Sequence, residues 1–394
     1  MDKKNKIVAI SGNKSAAIGA ALSKPDLIAA YPITPQSSVV EALADMIAKG
    51  EIDSTMVHVE SEHSAMSVVQ GATVAGGRTF TATSAQGLAL MFEPYFRMST
   101  LRLPMVMAIA TREMTSPETV WSGQQDAVTV RDAGWIQVFA ENNQEILDMV
   151  IQGYKLAEHK AVLLPVNVCY DGFYLSHLTE RVEIPSQELA DEFLGSYSCN
   201  HVTLDPDKPM AVDPLTSSEI LWRYRKSHLE AMQNALEVID EVDIEFDKVF
   251  GRKYGGAIDT YKIDDAELVI VTMGATTGTA RVAVDKAIEM GYKIGLLKVR
   301  FLRPFPSQRI KEVLNGKKAY AVIDKSVSFG WNTGVLYNEI KSAVSDLDRA
   351  ITSMPAIGGL GGADISVDML LDCIKKLDEE SKNYNGQLAT YWFE

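Results

Sequence analysis

The sequence predicts an α/β protein with a doubly wound parallel sheet, followed by a second α/β unit. Short apolar runs alternate with alanine-rich helical patterns over the first ~175 residues, which is typical of parallel strands covered by helices on both faces. A similar alternation resumes near residue 266. The chain has 394 residues, which is long enough for each unit to bury its own core.

The first unit contains a series of apolar runs that we predict to be strands of one sheet. They cover residues 7–10, 27–30, 56–59, 79–83, 105–110, 136–139 and 162–168. Helical patterns lie between most of them, at residues 15–22, 39–47 and 62–75. Ligands of parallel sheets bind at the carboxyl ends of the strands, so functional side chains are expected in the loops that follow these runs.

A long helix and further strands are predicted after this unit. Residues 178–216 contain four prolines and little periodicity, so we interpret them as a connecting segment. Ser217 and Ser218 offer an N-cap for a helix over residues 219–250. Its apolar stripe is formed by Leu221, Tyr224, Leu229, Met232, Leu236 and Ile239. Further strands are predicted at residues 268–273, 294–299, 319–323 and 350–354, with domains at residues 1–255 and 256–394.

Composition and charge exclude several classes of function. The formal net charge of −14 argues against nucleic acid or an anionic membrane as the main partner. The apolar run at residues 7–10 is too short for a signal peptide core or a membrane span. Cys169, Cys199 and Cys373 form no C-x-x-C pair, which excludes a local iron–sulfur or zinc cassette and predicts no metal site. The expected compartment is a reducing cytoplasm.

Two polar segments follow the runs at residues 27–30 and 56–59. In YPITPQSS, residues 31–38, two prolines flank Thr34, whose hydroxyl can donate to a substrate carboxylate. The alternative is an ordinary loop with Ser37 or Ser38 as the N-cap of the next helix. In VESEHSA, Glu62 lies at a helix start. It belongs either to a cofactor pocket or to the favourable charge at the positive end of a helix, which stabilises by roughly 0.3–1 kcal/mol.

Two more polar segments follow the next strands. In TATSAQG, the absence of a side chain at Gly87 allows close backbone approach beside Gln86. In ATRE, Arg112 at a strand end suits a bidentate grip on a carboxylate. The alternative is an ordinary salt bridge of Arg112 with Glu113 or Asp126. All four polar segments are expected at one edge of one parallel sheet.

These segments, in this order, resemble the α subunit of the 2-oxoacid:ferredoxin (acceptor) oxidoreductases, of the pyruvate:ferredoxin oxidoreductase type. The resemblance covers nearly the whole chain. It includes Gly12-Asn13, Gln125-Asp126, RDAGW at 131–135, AENNQE at 140–145, VRFLRPFP at 299–306 and GGLGG at 358–362. It implies a pyrimidine-type thiamine-diphosphate-binding domain followed by a transketolase C-terminal-like α/β domain.

The resemblance also implies roles for single residues. Glu62 matches the glutamate that bonds to N1′ of the thiamine aminopyrimidine, where it favours the tautomer that takes the proton from C2 of the thiazolium. Thr34 and Arg112 match residues that hold the carboxylate and the oxo oxygen of the substrate. The cofactor-binding residues are then expected to be Glu62, Pro32, Ile33, Thr34, Gln86 and Gly87.

The resemblance implies partner subunits as well. Thiamine diphosphate enzymes hold Mg²⁺ and pyrophosphate with a Gly-Asp-Gly motif, and Asp171-Gly172 here lacks the first glycine. A β subunit is therefore expected to share the thiamine diphosphate and bind its pyrophosphate. Mg²⁺ and [4Fe-4S] clusters are expected on partner subunits, including γ- and δ-type subunits. Coenzyme A is implied as co-substrate, and ferredoxin or NAD as electron acceptor.

The substrate and some other functions stay open at this level. Pyruvate is the first choice, because pyruvate enzymes are the commonest users of such an α chain; phenylglyoxylate, branched-chain 2-oxoacids and 2-oxoglutarate are alternatives, and oxalate ranks low. Trp121 is expected to border the substrate, either closing the pocket around a small acid or stacking on an aryl ring. The sequence also leaves two other functions open, a non-catalytic scaffold and a dinucleotide-binding protein. For GGLGG, a tight turn is favoured over a phosphate cradle.

Overall fold

The structure is a computed structural model that describes residues 5–394. Its strands are β1 (Lys6–Ser11), β2 (Leu27–Ala30), β3 (Thr55–His58), β4 (Thr79–Thr83), β5 (Val106–Thr111), β6 (Ile136–Phe139), β7 (Val166–Asp171), β8 (Thr179–Ile184), β9 (Ile258–Tyr261), β10 (Leu268–Thr272), β11 (Ile294–Val299), β12 (Phe301–Arg303), β13 (Ala319–Asp324), β14 (Thr352–Ile357) and β15 (Tyr391–Trp392). Its helices are α1 (Gly12–Leu22), α2 (Ser37–Ala48), α3 (Glu62–Val74), α4 (Ala85–Leu90), α5 (Phe92–Thr100), α6 (Gln125–Thr129), α7 (Asn143–Glu158), α8 (Gln187–Leu194), α9 (Ser218–Phe250), α10 (Thr276–Glu289), α11 (Ser307–Leu314), α12 (Val335–Ala343) and α13 (Val367–Ser381).

The first large sheet has the strand order β12-β6-β7-β5-β4-β2-β3. The six strands from β2 to β7 are mutually parallel and alternate with helices, so the predicted α/β class with a parallel sheet is confirmed. The seventh strand, β12, pairs antiparallel with β6 and comes from far along the chain. The second half of the sequence thus completes this sheet, and the division at residue 255 stays a prediction.

Three predicted elements differ from the structure. The run at residues 7–10 lies outside the parallel sheet, because β1 pairs antiparallel with β8 and leaves Ile7 exposed. The run at residues 162–168 begins as a turn, with Leu163 at φ +47°, and becomes β7 only at Val166. The start of the predicted connecting segment, residues 178–216, forms regular secondary structure. It contains β8 and α8, and the Ser186 side chain caps α8 by accepting from Leu189 N.

The second large sheet has the order β15-β14-β13-β10-β11-β9. Its strands are parallel except for β9, which pairs antiparallel with β11. One buried apolar cluster contains Met107 and Ile109 of the first sheet together with Val269, Val271 and Val322 of the second. The two sheets therefore share a core, and their strand ends lie in a defined relation to each other.

A buried ionic cluster connects the two halves of the chain. Glu145, in the first turn of α7, receives hydrogen bonds from Lys298 Nζ at 2.7 Å and from Arg300 Nε at 2.6 Å. Burial raises the pKa of Glu145, but the two cations outweigh it and hold that pKa at about 2. Two of the segments that carry the family resemblance, AENNQE and VRFLRPFP, meet in this cluster.

The long helix α9 packs on the rest of the molecule mainly through its C-terminal half. Its 33 residues span roughly 50 Å at 1.5 Å per residue. In the predicted stripe, Ile239 is 3% exposed, whereas Leu229 is 65% exposed. The C-terminal half packs on α7 and α8, and the N-terminal half extends past them with Leu221 and Tyr224 exposed. Among residues 5–394, no helix combines the length and apolarity needed to cross a membrane.

Candidate functional site

The carboxyl ends of β2, β3, β4 and β5 bring four polar segments together on one side of the first sheet. We call this side, at which the parallel strands end, the carboxyl edge of the sheet. These strands are parallel neighbours in the order β5-β4-β2-β3. Thr34 follows β2, Glu62 follows β3, Gln86 and Gly87 follow β4, and Arg112 follows β5. Because parallel strands end at a common edge, the topology places on one side of the sheet the four segments that the sequence singled out.

Arg112 and Thr34 are in direct contact. The Arg112 side chain is 4% exposed and donates from Nη1 to the carbonyl oxygen of Thr34 at 2.9 Å. Its Nε donates to the carbonyl oxygen of Thr119 at 2.7 Å. The guanidinium pairs with the exposed Glu118 at 3.4 Å, so the alternative of a side-chain salt bridge with Glu113 or Asp126 is wrong. Thr34 is exposed, and the hydrogen bond from Arg112 is accepted by its backbone carbonyl oxygen, not by its hydroxyl.

The loop that carries Thr34 is stabilised by a hydrogen bond within the loop and by another from Asn13 in α1. Gln36 N donates to the carbonyl oxygen of Ile33 at 2.8 Å, while Pro32 is exposed and Ile33 half-buried. Asn13 Nδ2 donates to the carbonyl oxygen of Pro35 at 2.7 Å, which gives the Gly12-Asn13 segment a role in supporting this loop. Helix α2 begins at Ser37 without a side-chain cap, so the interpretation of Ser37 or Ser38 as N-cap is wrong.

Glu62 is the first residue of α3 and is buried, with 6% of its surface exposed. Ser61 caps this helix by accepting from Ser64 N at 3.2 Å, so the chain turns sharply at the end of β3 and directs Glu62 into the sheet edge. A Cβ atom on Gly87 would lie 2.6 Å from Glu62 Oε1 and 2.5 Å from Thr83 Oγ1. Only glycine at position 87 lets α4 approach the carboxylate this closely.

Several polar atoms around Glu62 and Gly87 lack partners within the described chain. The buried Thr83 Oγ1 and Gln86 Oε1 both lack a hydrogen-bond partner among residues 5–394. Gln86 Nε2 donates to Thr115 Oγ1. Buried polar groups are normally satisfied, so these atoms indicate that this part of the edge is built to receive a polar ligand.

Asp126 is a site residue to which sequence reasoning gave no role in the site, considering it only as a salt-bridge partner of Arg112 and as part of the Gln125-Asp126 motif. It is buried in the first turn of α6, and its Oδ2 accepts from the backbone N of Ala85 at 2.9 Å and of Arg112 at 3.0 Å. Burial raises the pKa of Asp126 to about 7; the three backbone donors oppose that rise and nearby Glu113 adds to it. An isolated acid at the start of a short apolar helix is the signal that could have indicated it.

An aromatic cluster borders the Thr34 loop. Trp121 is 52% exposed, and its ring centroid lies 4.5 Å from that of Phe173. Phe173 stacks in turn on His177 at 4.7 Å. The neighbouring Gly172 is close to Pro35, because a Cβ atom there would lie 2.7 Å from Pro35 Cγ. The sequence indicated Trp121 but not Phe173 and His177, which come from the loop after β7.

The carboxyl edge of the second sheet lies against this region. Lys325, after β13, is 7% exposed and pairs with Asp171 Oδ1 at 3.2 Å, at the end of β7. Gly362 N, in the GGLGG turn after β14, donates to the carbonyl oxygen of Ser122 at 2.7 Å. A cavity of ≈250 Å³ remains between the edges, lined in part by Tyr174 and Thr276. Among the described residues, no group of His, Cys, Asp and Glu is arranged to hold a metal ion.

Comparison with known proteins defines the class of this fold and site. Residues 18–243 match the thiamine-diphosphate-binding domain of the pyruvate flavodoxin/ferredoxin oxidoreductases, and residues 266–370 match pyruvate:ferredoxin oxidoreductase core domain II. The chain resembles a solved 2-oxoglutarate:ferredoxin oxidoreductase from Magnetococcus marinus with 2-oxoglutarate, coenzyme A and succinyl-CoA bound. The TM-score is 0.71 at 22% identity, over 94% of this chain and 65% of that one. A split-gene transketolase shares the fold more distantly, with a TM-score of 0.54 at 12% identity over 94% and 98% of the two chains.

Curated relatives match over nearly the whole chain. The α subunit of NADH-dependent phenylglyoxylate dehydrogenase from Aromatoleum evansii is 49% identical over 98% of this chain and 94% of its own length. The pyruvate synthase subunit PorA of Methanocaldococcus jannaschii is 44% identical, over 98% and 99% of the two chains. PorA of Thermotoga maritima is 42% identical, over 96% and 95%. The chain therefore belongs to the pyruvate flavodoxin/ferredoxin oxidoreductase family, which confirms the family predicted from its motifs.

Proposed function

We propose that this chain is the α subunit of a thiamine-diphosphate-dependent, coenzyme A-acylating oxidoreductase that converts pyruvate to acetyl-CoA and CO2. The observation that supports this most is the common edge on which a buried carboxylate, Glu62, and a buried guanidinium, Arg112, follow two strands of the same parallel sheet, β3 and β5. A 2-oxoacid enzyme of this kind needs both an acid beside the cofactor and a cation beside the substrate carboxylate.

The residues around Glu62 fit the aminopyrimidine of thiamine diphosphate. Glu62 is proposed to hydrogen-bond at N1′, and the unsatisfied Gln86 Oε1, on the residue that precedes Gly87, is an acceptor that an amino group can satisfy. Gly87 leaves room for the Glu62 carboxylate to lie against the start of α4. When bound, thiamine diphosphate supplies the carbon nucleophile for the 2-oxo carbon and accommodates the electrons left behind by CO2. Pro32, Ile33 and Thr34 form the opposite wall in this proposal.

Arg112 and Thr34 are proposed to orient the acid. The guanidinium is held by two backbone carbonyls, so its position is fixed before a substrate arrives, and a substrate carboxylate competes with the exposed Glu118 at Nη2. The exposed Thr34 hydroxyl is a donor for the substrate oxygens. Together these groups hold the carboxylate where it can leave as CO2.

The remaining components are proposed on partner subunits. A β subunit binds the pyrophosphate and Mg²⁺, and γ- and δ-type subunits take part in the electron-transfer half, with [4Fe-4S] clusters on the partners. Two electrons leave per pyruvate oxidised and pass to ferredoxin, with coenzyme A accepting the acyl group. The assembled enzyme is proposed to be cytoplasmic.

Phenylglyoxylate is the second candidate substrate. Two observations favour it: the relative from Aromatoleum evansii is 49% identical over 98% of this chain, and the exposed Trp121 ring lies beside Phe173 near the Thr34 loop. In this alternative the aromatic pair stacks on the aryl ring of the acid, and the electron acceptor is NAD.

The test is viologen reduction by the native complex, purified through this chain, with each acid plus coenzyme A. We expect pyruvate to give the higher kcat/KM. Higher kcat/KM with phenylglyoxylate would replace the proposed substrate with the second candidate. Reduction with neither acid, nor with branched-chain 2-oxoacids or 2-oxoglutarate, would overturn the proposed activity and favour a non-catalytic scaffold.

A further inference from the structure

One carboxylate lies between the two halves of the candidate site. Asp126 Oδ2 accepts from Ala85 N at 2.9 Å and from Arg112 N at 3.0 Å, and its Oδ1 accepts from Ala127 N at 2.7 Å. The side chain is 1% exposed. A single oxygen thus joins the residue that begins α4 to the residue that follows β5.

Each end of this link carries a group of the site. Arg112 provides the guanidinium that contacts Thr34. Ala85 directly precedes Gln86 and Gly87, and Gly87 packs against the Glu62 carboxylate. The relative position of Arg112 and Glu62 therefore depends on two backbone N–H groups that share one acceptor.

The backbone at Ala85 needs this support. Its φ is +40°, in the left-handed region that residues with a Cβ atom rarely adopt. A strained conformation persists only where the surroundings determine it, and such positions concentrate at functional sites. The hydrogen bond from Ala85 N to the buried Asp126 side chain is one such determinant, because without it a buried backbone N–H would lose its partner.

Helix α6, which carries Asp126, is itself hydrogen-bonded to residues of both sheets or their loops. Gln137 Nε2, on β6, donates to the carbonyl oxygen of Ala127 at 2.9 Å. Gln125 Oε1 accepts from Val327 N at 2.9 Å, beside Lys325 at the edge of the second sheet. The short helix α6 is thereby fixed on two sides, and Asp126 transmits that position to the active edge.

We propose that Asp126 is the positioning residue of this site, setting the distance between the substrate-binding guanidinium and the cofactor-binding glutamate. The inference rests on the proposed function, since it assigns those two roles to Arg112 and Glu62. Asp126 acts through the backbone at Ala85 and Arg112.

The test compares Asp126→Asn and Asp126→Ala with Asp132→Asn in the assembled complex. Asp132 is the matched control, because its carboxylate is exposed and makes surface pairs with Arg303 and Arg131. Misplacement of a binding group by about 1 Å can cost ~100-fold in rate, so we expect kcat/KM for the 2-oxoacid to fall ~10-fold in Asp126→Asn and ~100-fold in Asp126→Ala. Asp132→Asn should change it less than ~2-fold, as surface pairs contribute little.

A rescue variant separates positioning from stability. Glycine adopts positive φ freely, so Ala85→Gly should restore kcat/KM of Asp126→Asn by ~3-fold or more, although it adds no contact and removes a buried methyl group. A merely structural role for Asp126 predicts a further loss in this double variant. Unchanged kcat/KM in Asp126→Asn, or no rescue, would overturn the inference.

The outcomes for the two proposals are distinct. If the wild-type complex oxidises no 2-oxoacid, the proposed function fails, and the affinity of the complex for thiamine diphosphate then decides about Asp126. A weaker affinity in Asp126→Asn that Ala85→Gly restores would support the positioning role, and an affinity equal to wild type would overturn it. If Asp126→Ala does not assemble, Asp126→Asn with its rescue partner carries the test.

Discussion

The two large sheets present their strand ends in opposite ways. At the edge of the first sheet, Thr34 is exposed, and the buried Thr83 Oγ1 and Gln86 Oε1 have no hydrogen-bond partner among the described residues. At the edge of the second sheet, Lys325 pairs with Asp171, and Gly362 N is bonded to Ser122. Both edges are the carboxyl ends of parallel strands, where α/β proteins bind ligands.

The difference comes from packing. The second edge faces the first, and Lys325 and Gly362 N of the second edge are paired across the contact between the two. Part of the first edge has no such cover among residues 5–394, so Thr83 Oγ1 and Gln86 Oε1 remain open to a ligand. A sheet edge therefore becomes a candidate site when the fold leaves its polar groups unpaired.

The largest effect is expected when the first edge loses its acid. Glu62→Gln should lower kcat of the assembled complex by roughly 10²–10⁴-fold, because general acid–base catalysis contributes that much. Viologen reduction with pyruvate and coenzyme A measures it. The control is Glu60→Gln, an exposed carboxylate whose bond is to Ser64, and it should retain near wild-type turnover. Equal turnover of Glu62→Gln and wild type would remove Glu62 from the mechanism.

A substitution at the second edge should lower the free energy of unfolding. Lys325→Met leaves Asp171 buried without its cation, and removing one partner of a buried pair costs about 3 kcal/mol or more. Urea denaturation of the full chain measures the free energy of unfolding. Lys24→Met is the control, since its pair with Asp191 is exposed and should contribute about 0–1 kcal/mol. Similar losses in the two variants would contradict the comparison between the edges.

A smaller effect is expected for the guanidinium of the first edge. Arg112→Lys keeps the charge but cannot reproduce the two bonds to the carbonyl oxygens of Thr34 and Thr119. Losing one charge-assisted bond costs roughly 1.5–3 kcal/mol, so kcat/KM for the 2-oxoacid should fall ~10- to 100-fold. Arg97→Lys, at an exposed pair with Glu93, is the control. The prediction is wrong if lysine at position 112 supports wild-type kcat/KM.

The smallest effect is expected where the two edges meet. Trp121 packs on Phe173, and a Cβ atom on Gly362 would lie 2.8 Å from the Trp121 Cβ. If the ring closes the pocket around a small acid, Trp121→Ala should raise the ratio of kcat/KM for phenylglyoxylate over pyruvate by about 3-fold, the scale of one aromatic contact. Trp222→Ala, on the exposed half of α9, should leave that ratio unchanged. A fall in the ratio would instead indicate that Trp121 stacks on the aryl ring.

The candidate site residues could be named from the sequence because the signals for them are local. Glu62 and Arg112 each lie within three residues of the end of an apolar run, and the period of such runs is set by neighbouring residues in the chain. Gly87 was predicted to allow close backbone approach, and its contact with Glu62 shows the reason. The partners of Arg112 were not predictable, since Thr34 lies 78 residues away and the bond is to its backbone.

The sequence by itself determined the α/β class, the strands that end in functional loops and the family to which the chain belongs. These follow from residue periodicity and from motifs that are contiguous in the chain. The tertiary structure alone decided that β1 leaves the main sheet, that residues 218–227 of α9 stay exposed, and that Asp126 joins Ala85 to Arg112. The physical reason is that burial and hydrogen-bond partners depend on segments distant in sequence, which no local pattern records.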